Sequence, residues 1–411
     1  MKVLLVGAGA VGTVSALKFA KEAVLEQLVI ADTVSARASL LADRLNDPRV
    51  SAIGLDAGDR AAIASVICKA GITLVLNAAL PATNLAVMQA CLAGGSHYID
   101  LASAGTDADG IPKMDDQLAL DADFKAAGRL AMLGMGADPG TTNIYAAYAA
   151  KHLLDTVTEL RIRDGDNAVC DHDGFVAAFS PWVMIDECLC NAVAYRNGRF
   201  VMEQPLTGME PFDFPEIGVL TCYYVDHEEC KSLPRLFPQA RVIDFKLCMA
   251  DSTVETLRVM KRLGLSSKNR VRVGDHSIAP RDLVVSLLPD PKDLAGRMRG
   301  KTCVGTLAKG VKNGEPKAYF IYNVTDHESA YRDLGVQGTA YQTGIPPVIA
   351  ARLISQGIWR GAGVMSPEQF DPDPFLQCLA LEGMPWYVRD DTLQAGTPRV
   401  TGRPSRETVA A

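Results

Sequence analysis

Residues 2–12 read KVLLVGAGAVG, an apolar run that ends in a glycine-rich turn of the pattern GxGxxG. A helical pattern follows, and the next apolar run, residues 28–32, ends in an acidic residue. Glycines at this spacing let the backbone approach a pyrophosphate at a helix N-terminus, and the later carboxylate can bind ribose hydroxyls. The sequence therefore predicts a dinucleotide site. The residues expected to hold it are Gly7, Gly9, Ala10, Val11, Gly12 and Asp32.

The carboxylate at Asp32 favours NAD(H) over NADP(H), because it would repel a 2′-phosphate. Arg37 lies close by and could serve that phosphate if Asp32 turned away, so NADP(H) stays possible. A glycine turn without a ligand is the structural alternative for the whole motif. The stretch NAALP, at the end of the fourth predicted strand, would lie over the nicotinamide half of the cofactor or form an ordinary strand-to-helix turn. Its candidate residues are Asn77, Ala78, Ala79 and Pro81.

Strand and helix patterns alternate with short connections up to about residue 135. Continuous apolar strands of this kind are typical of parallel sheets covered on both faces, so we expect a Rossmann-type doubly wound sheet over residues 1–138. Turn-rich β patterns then predict an α+β substrate and dimerisation domain with a mostly antiparallel sheet over residues 139–345. Residues 346–390 are expected to return to the Rossmann domain, and residues 391–411 to form a flexible tail.

Composition narrows the class of protein. The chain has 411 residues, 48% hydrophobic and 22% charged, which is typical of a globular protein with about two or three domains. A net charge of -7 provides no basic excess to displace phosphate counterions, so nucleic-acid partners are not expected. No apolar stretch approaches the roughly 18 residues of a membrane span, and the glycine-broken N-terminus lacks a cleavage motif. We therefore expect a cytoplasmic protein without a membrane partner.

Ten cysteines are spaced irregularly and form no CxxC pair. They are expected to be reduced thiols that mostly pack in the core. Two segments carry metal-ligating residue types, Cys170–Asp173 and His227–Cys230. Neither has a standard zinc spacing, so structural or solvated roles are expected and no metal is predicted.

Several motifs taken together resemble the saccharopine dehydrogenase family. The N-terminal ones are Gly7–Gly12, NAALP, Tyr98–Asp100 and GMGADPGTTN at residues 134–143. The resemblance extends to about residue 390, and its C-terminal stretches are most similar to the carboxynorspermidine (carboxyspermidine) dehydrogenase branch. These stretches are LLPDP at 287–291, FIYN at 320–323, DHE at 326–328, YQTGIP at 341–346 and DPDPF at 371–375.

The resemblance implies a homodimeric NAD(P)-dependent oxidoreductase that acts on a C–N bond. Such enzymes condense an amino-acid semialdehyde with an amine and reduce the imine to a carboxylated secondary amine. Lysine 6-dehydrogenase and saccharopine reductase activities are alternatives within the family. A simple aldehyde or alcohol dehydrogenase and a dinucleotide-binding redox sensor without turnover are alternatives outside it. The branch often has Ser-Arg at the end of the second strand, where this chain has Asp32-Thr33.

Three residues are candidate acids or bases. Asp138 sits in a turn fixed by a proline and a glycine, where it could stabilise an iminium or relay a proton, or merely cap the following helix. The resemblance places Asp164 in the pocket, and the alternative is a solvated turn. His327 follows a strand and is a candidate because histidine is a common general acid or base, although a lone histidine is more often structural.

The resemblance also places a central segment, residues 179–187, against the substrate. There Ser180 could bind a carboxylate and Glu187 a distal ammonium, or they could be a helix cap and a surface residue. Tyr341 is a further substrate-binding candidate. Thr343 could contact the nicotinamide carboxamide or cap the next helix.

Overall fold

The computed structural model describes residues 1–103 and 114–392. Its strands, in chain order, are β1 Lys2–Val6, β2 Gln27–Asp32, β3 Val50–Gly54, β4 Leu74–Asn77, β5 His97–Asp100, β6 Leu130–Met132, β7 Thr156–Asp166, β8 Val169–Cys170, β9 Ala192–Arg196, β10 Arg199–Glu203, β11 Glu210–Phe214, β12 Gly218–Tyr224, β13 Val242–Cys248, β14 Val271–Val273, β15 His276–Ile278, β16 Met298–Arg299, β17 Lys301–Lys312, β18 Glu315–Asp326, β19 Gly363–Met365 and β20 Trp386–Asp390.

The described helices alternate with these strands in the first third of the chain. They are α1 Ala10–Phe19, α2 Ser35–Leu45, α3 Arg60–Ala70, α4 Asn84–Gly94, α5 Met114–Leu118, α6 Asp121–Ala126, α7 Thr141–Tyr148, α8 Pro181–Leu189, α9 Glu229–Leu236, α10 Asp251–Arg262, α11 Pro280–Leu287, α12 His327–Leu334, α13 Gly338–Gly344, α14 Pro346–Ser355 and α15 Pro372–Leu381.

The first sheet has seven strands in the order β19-β6-β5-β4-β1-β2-β3. Every neighbouring pair is parallel, and β1 is central and buried along almost its whole length. The predicted doubly wound parallel sheet is therefore confirmed. In such a sheet the carboxyl ends of the strands form one edge. The loops that follow β1, β4 and β5 lie at this edge and contribute to the candidate site.

The second sheet is mixed but mostly antiparallel, as predicted. Its main path runs β10-β9-β13-β7-β17-β18-β20, and the hairpin of β11 and β12 joins it through β13. The pair β13–β7 is parallel. The long hairpin of β17 and β18 turns at residues 313–314.

The C-terminal segment contributes to both sheets. Helix α14 packs with α1 of the first domain, and β19 extends the first sheet beside β6. The chain then crosses back, and β20 pairs with β18 at the edge of the second sheet. The predicted flexible tail lies almost entirely outside the described residues.

The cysteines fit the expectation from the sequence. All ten lie in described segments as free thiols, and six of them are buried. No helix in residues 1–103 and 114–392 has the length and apolarity to cross a membrane.

A buried cation anchors the second sheet. Arg163 on β7 is completely shielded from solvent. Its guanidinium donates to Asp244 Oδ1 at 2.8 Å and to Glu210 Oε2 at 3.0 Å. It thereby ties β13 and β11 to β7, the strand that carries Asp164.

We expect Arg163→Met to lower the free energy of unfolding by about 3 kcal/mol, because it leaves a buried carboxylate without its closest cation. Arg161→Met is the matched control on the same strand. Arg161 keeps 27% of its side chain exposed, so its loss should cost about 1 kcal/mol or less. Urea unfolding followed by circular dichroism measures both, and equal losses would contradict the anchoring role.

Candidate active site

The glycine turn between β1 and α1 has the shape that a pyrophosphate requires. Gly7 has a φ of +104°, and a Cβ there would lie 2.7 Å from the carbonyl oxygen of Ala78. A Cβ on Gly12 would overlap the carbonyl of Gly7. A Cβ on Gly9, by contrast, would meet nothing within 4 Å. The space in front of the α1 N-terminus is therefore open at the position where a phosphate would sit.

Asp32 is fixed beside this turn at the carboxyl end of β2. Its Oδ2 accepts a hydrogen bond from the Ala8 amide at 2.9 Å, and its Oδ1 accepts one from the Val34 amide at 2.8 Å. The carboxylate is thus held where a ribose hydroxyl would approach. The turn and this carboxylate together fit a nicotinamide dinucleotide.

The NAALP loop shapes this site from β4. The Asn77 side chain is buried, and its amide donates to Asn84 Oδ1 at 2.9 Å while its carbonyl accepts from the Ala79 amide. Pro81 begins a short 3₁₀ helix. Asn77 therefore organises the turn through internal bonds, and cofactor contacts by the loop stay a prediction.

Asp100, at the end of β5, holds the turn that contains Asp138. Its Oδ1 accepts from the Gly134 amide at 2.6 Å, and its Oδ2 accepts from Gln117 at 2.7 Å and Tyr98 at 2.9 Å. Burial raises the pKa of Asp100 to about 7, although these donors favour its charged form. Asp100 ends the Tyr98–Asp100 motif, which by itself predicts no role for this carboxylate.

Asp138 does not cap helix α7, so the structural alternative for it is wrong. The first amides of that helix donate to the carbonyls of Gly136 and Ala137, and the Gly140 amide donates to Asn143 Oδ1 at 2.9 Å. Backbone groups and an asparagine thus satisfy the helix N-terminus.

The Asp138 carboxyl belongs instead to a group of titratable side chains that we term the acidic cluster. Its members come from the loop after β6, from β7, from α8 and from the start of α9. They are Asp138, Asp164, Glu187, His227, Glu228 and Glu229. The first three were predicted from the sequence. The solvated role allowed for the last three is wrong, because all three are buried.

His227 is held rigidly within the acidic cluster. Its Nδ1 is 2.5 Å from Glu229 Oε2, and its ring stacks on Phe245 with centroids 3.7 Å apart. The other oxygen of Glu229 accepts a hydrogen bond from Thr142 Oγ1 at 2.7 Å. Burial opposes a charged imidazolium, but the charge and hydrogen bond of Glu229 raise the pKa of His227 well above its ordinary value.

Glu228 brings an oxygen without a hydrogen-bond donor into the acidic cluster. Its Oε1 accepts from the amide of Ser103 at 2.7 Å, whereas its buried Oε2 accepts no hydrogen bond from the described residues and lies 3.8 Å from His227 Nδ1. Ligand atoms of Glu187, His227 and Glu228 lie within 4.8 Å of one another. The nearby cation Lys231 is already paired with Asp226 at 2.9 Å. The arrangement can therefore surround one additional cation, either an amine or a metal ion.

Burial favours the protonated forms of three carboxyl groups of the acidic cluster, those of Asp138, Asp164 and Glu187. Burial raises the pKa of Glu187 to about 8 and, with the charge of Asp166, that of Asp164 to about 7. Burial and the charge of Asp164 raise the pKa of Asp138 well above its ordinary value. Asp138, Asp164 and Glu187 each remain partly exposed to solvent, so a ligand can reach them. The cluster can donate a proton, and it can ionise when a cation enters.

The other predicted residues lie around this centre. Both ring nitrogens of His327 are engaged, Nδ1 accepting from the Gly338 amide and Nε2 lying 3.2 Å from Asp166. Ser180 precedes α8 without a side-chain capping bond. The Tyr341 hydroxyl contacts Asp333 and the Glu382 carbonyl rather than the acidic cluster. Thr343 lies in α13, and its hydroxyl donates to the Thr339 carbonyl. Their functional roles stay predictions.

Two domain families match the chain almost end to end. The saccharopine dehydrogenase NADP binding domain matches residues 3–132, and the saccharopine dehydrogenase C-terminal domain matches residues 136–384. The chain belongs to the saccharopine dehydrogenase family. This membership confirms the resemblance and, with it, the predicted oxidoreductase class and a nicotinamide dinucleotide as cofactor.

Curated relatives within the saccharopine dehydrogenase family match over nearly full length. Carboxyaminopropylagmatine dehydrogenase from Synechocystis sp. is 34% identical over 94% of this chain and 97% of its own. Carboxynorspermidine synthase from Vibrio cholerae is 33% identical over 97% of this chain and 99% of its own.

Two solved structures have a similar fold. Saccharopine dehydrogenase (L-Glu forming) from Saccharomyces cerevisiae has a TM-score of 0.67 at 15% identity and covers 95% of this chain and 99% of its own. Homospermidine synthase from Legionella pneumophila in complex with NAD has a TM-score of 0.70 at 14% identity and covers 99% and 95%.

The open space at Gly9 yields a clean test of the dinucleotide site. Gly9 has a φ of -77°, so Gly9→Ala should leave the thermal midpoint unchanged while the added methyl group weakens NAD(H) binding by about tenfold or more. Gly12→Ala is the contrasting variant, and it should lower the midpoint because its Cβ would overlap the Gly7 carbonyl. Calorimetric titration and thermal unfolding give both values. Full NADH affinity in a folded Gly9→Ala protein would exclude this turn as the phosphate site.

Proposed function

We propose that the protein reduces the imine formed between an amino-acid semialdehyde and an amine with a second cationic group, giving a carboxylated secondary amine. One observation carries this proposal, namely a partly protonated acidic cluster placed at the carboxyl edge of the dinucleotide sheet. The printed names of the curated relatives, a carboxyaminopropylagmatine dehydrogenase and a carboxynorspermidine synthase, support the same chemistry.

The reaction needs a proton as well as a hydride. A neutral amine adds to the aldehyde to give a carbinolamine, whose hydroxyl takes up one proton and leaves as water to form an iminium. One hydride then reduces the iminium to the secondary amine. The bound nicotinamide supplies the hydride. Burial and the charge of Asp164 raise the pKa of Asp138 well above its ordinary value, which favours its protonated form. Asp138 is therefore the group we assign to protonate the departing hydroxyl as water.

The remaining carboxylates suit the distal cation of the amine. Glu187 and Glu228 place oxygens close together, and one oxygen of Glu228 accepts no hydrogen bond from the described residues. A cationic group entering between them gains charge-assisted hydrogen bonds and lowers the pKa of Glu187. A simple aldehyde or alcohol substrate would bring no cationic group to these carboxyl groups.

For the cofactor we propose NAD(H). The support is Asp32, whose carboxylate is fixed by two backbone amides beside the glycine turn and would repel a 2′-phosphate.

The direct test combines purified protein, aspartate β-semialdehyde, a series of diamines and agmatine, and NADH or NADPH. Nicotinamide absorbance is followed, and the product is identified by mass spectrometry. We expect NADH or NADPH to be oxidised only when both the aldehyde and the amine are present. Oxidation with aldehyde alone would replace the proposal with a simple dehydrogenase, and tight cofactor binding without turnover would replace it with a dinucleotide-binding sensor.

Asp138→Asn should reduce kcat by about 100-fold or more, because an amide cannot deliver the proton that removes the hydroxyl. NADH affinity should stay within about twofold. Asp213→Asn, at a position 60% exposed on β11, is the charge-matched control and should retain wild-type kcat. Steady-state kinetics at saturating substrates measure kcat for both variants. A wild-type kcat in Asp138→Asn would show that Asp138 does not supply the proton.

Glu187→Gln should raise the KM for the amine about tenfold and leave the KM for the aldehyde unchanged, since it removes one charge-assisted contact. In the wild type, kcat/KM for the amine should rise as the pH passes about 8, where Glu187 ionises. The variant should lose that rise. Asp186→Asn is the control on the same helix, because Asp186 faces Lys268 and Arg281 instead. An unaltered pH profile in Glu187→Gln would contradict the assignment.

A further inference from the structure

A contact between the two domains lies beside the proposed cofactor site. Arg37, in the first turn of α2, is five residues beyond Asp32. Its guanidinium Nη2 is 3.3 Å from Asp290 Oδ2. Asp290 belongs to the LLPDP stretch of the second domain and caps the 3₁₀ helix Pro291–Leu294, its Oδ1 accepting from the Lys292 amide at 3.1 Å. The cap fixes the carboxylate that faces Arg37.

The loop of Asp290 also borders the glycine turn. Pro291 and Lys292 line a narrow cleft together with Ala10 and Thr13 of α1. The second domain therefore reaches the N-terminal half of α1 and the start of α2 at once. A dinucleotide bound at the glycine turn would have its adenosine ribose close to this loop.

Carboxylates and phosphates compete for the same guanidinium donors. Arg37 is the cation that follows Asp32 in the chain and is 47% exposed, so a 2′-phosphate is the natural partner for it. Asp290 Oδ2 already contacts one nitrogen of this guanidinium, and Lys292 Nζ lies 3.8 Å from the same oxygen. A dinucleotide with a 2′-phosphate would have to displace Asp290 from Arg37.

We propose that Asp290 is a cofactor-discriminating residue, contributed by the second domain, that weakens binding of 2′-phosphorylated dinucleotides by occupying Arg37. The inference rests on the proposed function insofar as the protein binds a nicotinamide dinucleotide. It places part of the selectivity for NAD(H) more than 250 residues away from the glycine turn, since the discriminating carboxylate is residue 290.

The test is calorimetric titration of the full chain with NAD⁺ and with NADP⁺ at low ionic strength. Asp290→Asn removes the charge but keeps the capping oxygen. We expect it to tighten NADP⁺ binding about three- to fivefold, with NAD⁺ affinity unchanged. Asp293→Asn is the matched control in the same loop, where Asp293 pairs with Lys292. It should leave both affinities as in the wild type.

A double variant tests whether Arg37 is the group that binds the 2′-phosphate. Adding Arg37→Gln to Asp290→Asn should abolish the gain for NADP⁺. The proposal is overturned if Asp290→Asn leaves the ratio of the two affinities unchanged, if Asp293→Asn shifts it equally, or if the gain survives without Arg37. If the wild type binds neither nucleotide, the proposed function and this role fall together. Normal NAD⁺ binding with an unaltered ratio overturns the role of Asp290 alone.

Discussion

Like charges removed from water repel each other, and this chain gathers five carboxyl groups around one histidine in a largely buried site. The arrangement holds because protons and fixed donors replace the missing cations. Burial raises the pKa values of Asp138, Asp164 and Glu187 and so favours their protonated forms. Ser103 donates to Glu228 across the junction of the two domains, and Thr142 donates to Glu229 within the second domain. The site is therefore assembled only when both domains are folded against each other.

Much of the fold could be predicted because its signals are local. The glycine turn, the apolar strands and the alternation of helix and strand all appear within short windows, and the parallel sheet follows from them. The parallel pairing of β13 with β7 has no such signal, since it joins segments about 80 residues apart. Strands β19 and β20 are short, and their partners lie about 230 and 65 residues earlier. Only tertiary packing selects such pairs.

The site was predictable where a motif constrained the backbone. Asp138 stands in a Gly-Ala-Asp-Pro-Gly turn, and family resemblance indicated Asp164 and Glu187. His227, Glu228 and Glu229 could not be found this way. A run of polar residues between a strand and a helix is typical of a solvated loop, and their burial arises from Phe245 and from the turn at Asp138. The His227 ring that stacks on Phe245 and the Glu229 carboxylate that pairs with it take these positions only where distant segments of the chain come together.

The path of the C-terminal segment has a consequence for how this protein can be divided. Neither sheet is built from one continuous stretch of chain, because β19 completes the edge of the first sheet and β20 completes the edge of the second. A cut between α13 and α14 would strip both strands at once. Strands β6 and β18 would then present unpaired backbone amides and carbonyls, which invite pairing with other chains. The two domains consequently cannot be separated by this single cut. A protein that combined this fold with other domains would have to contain the whole chain.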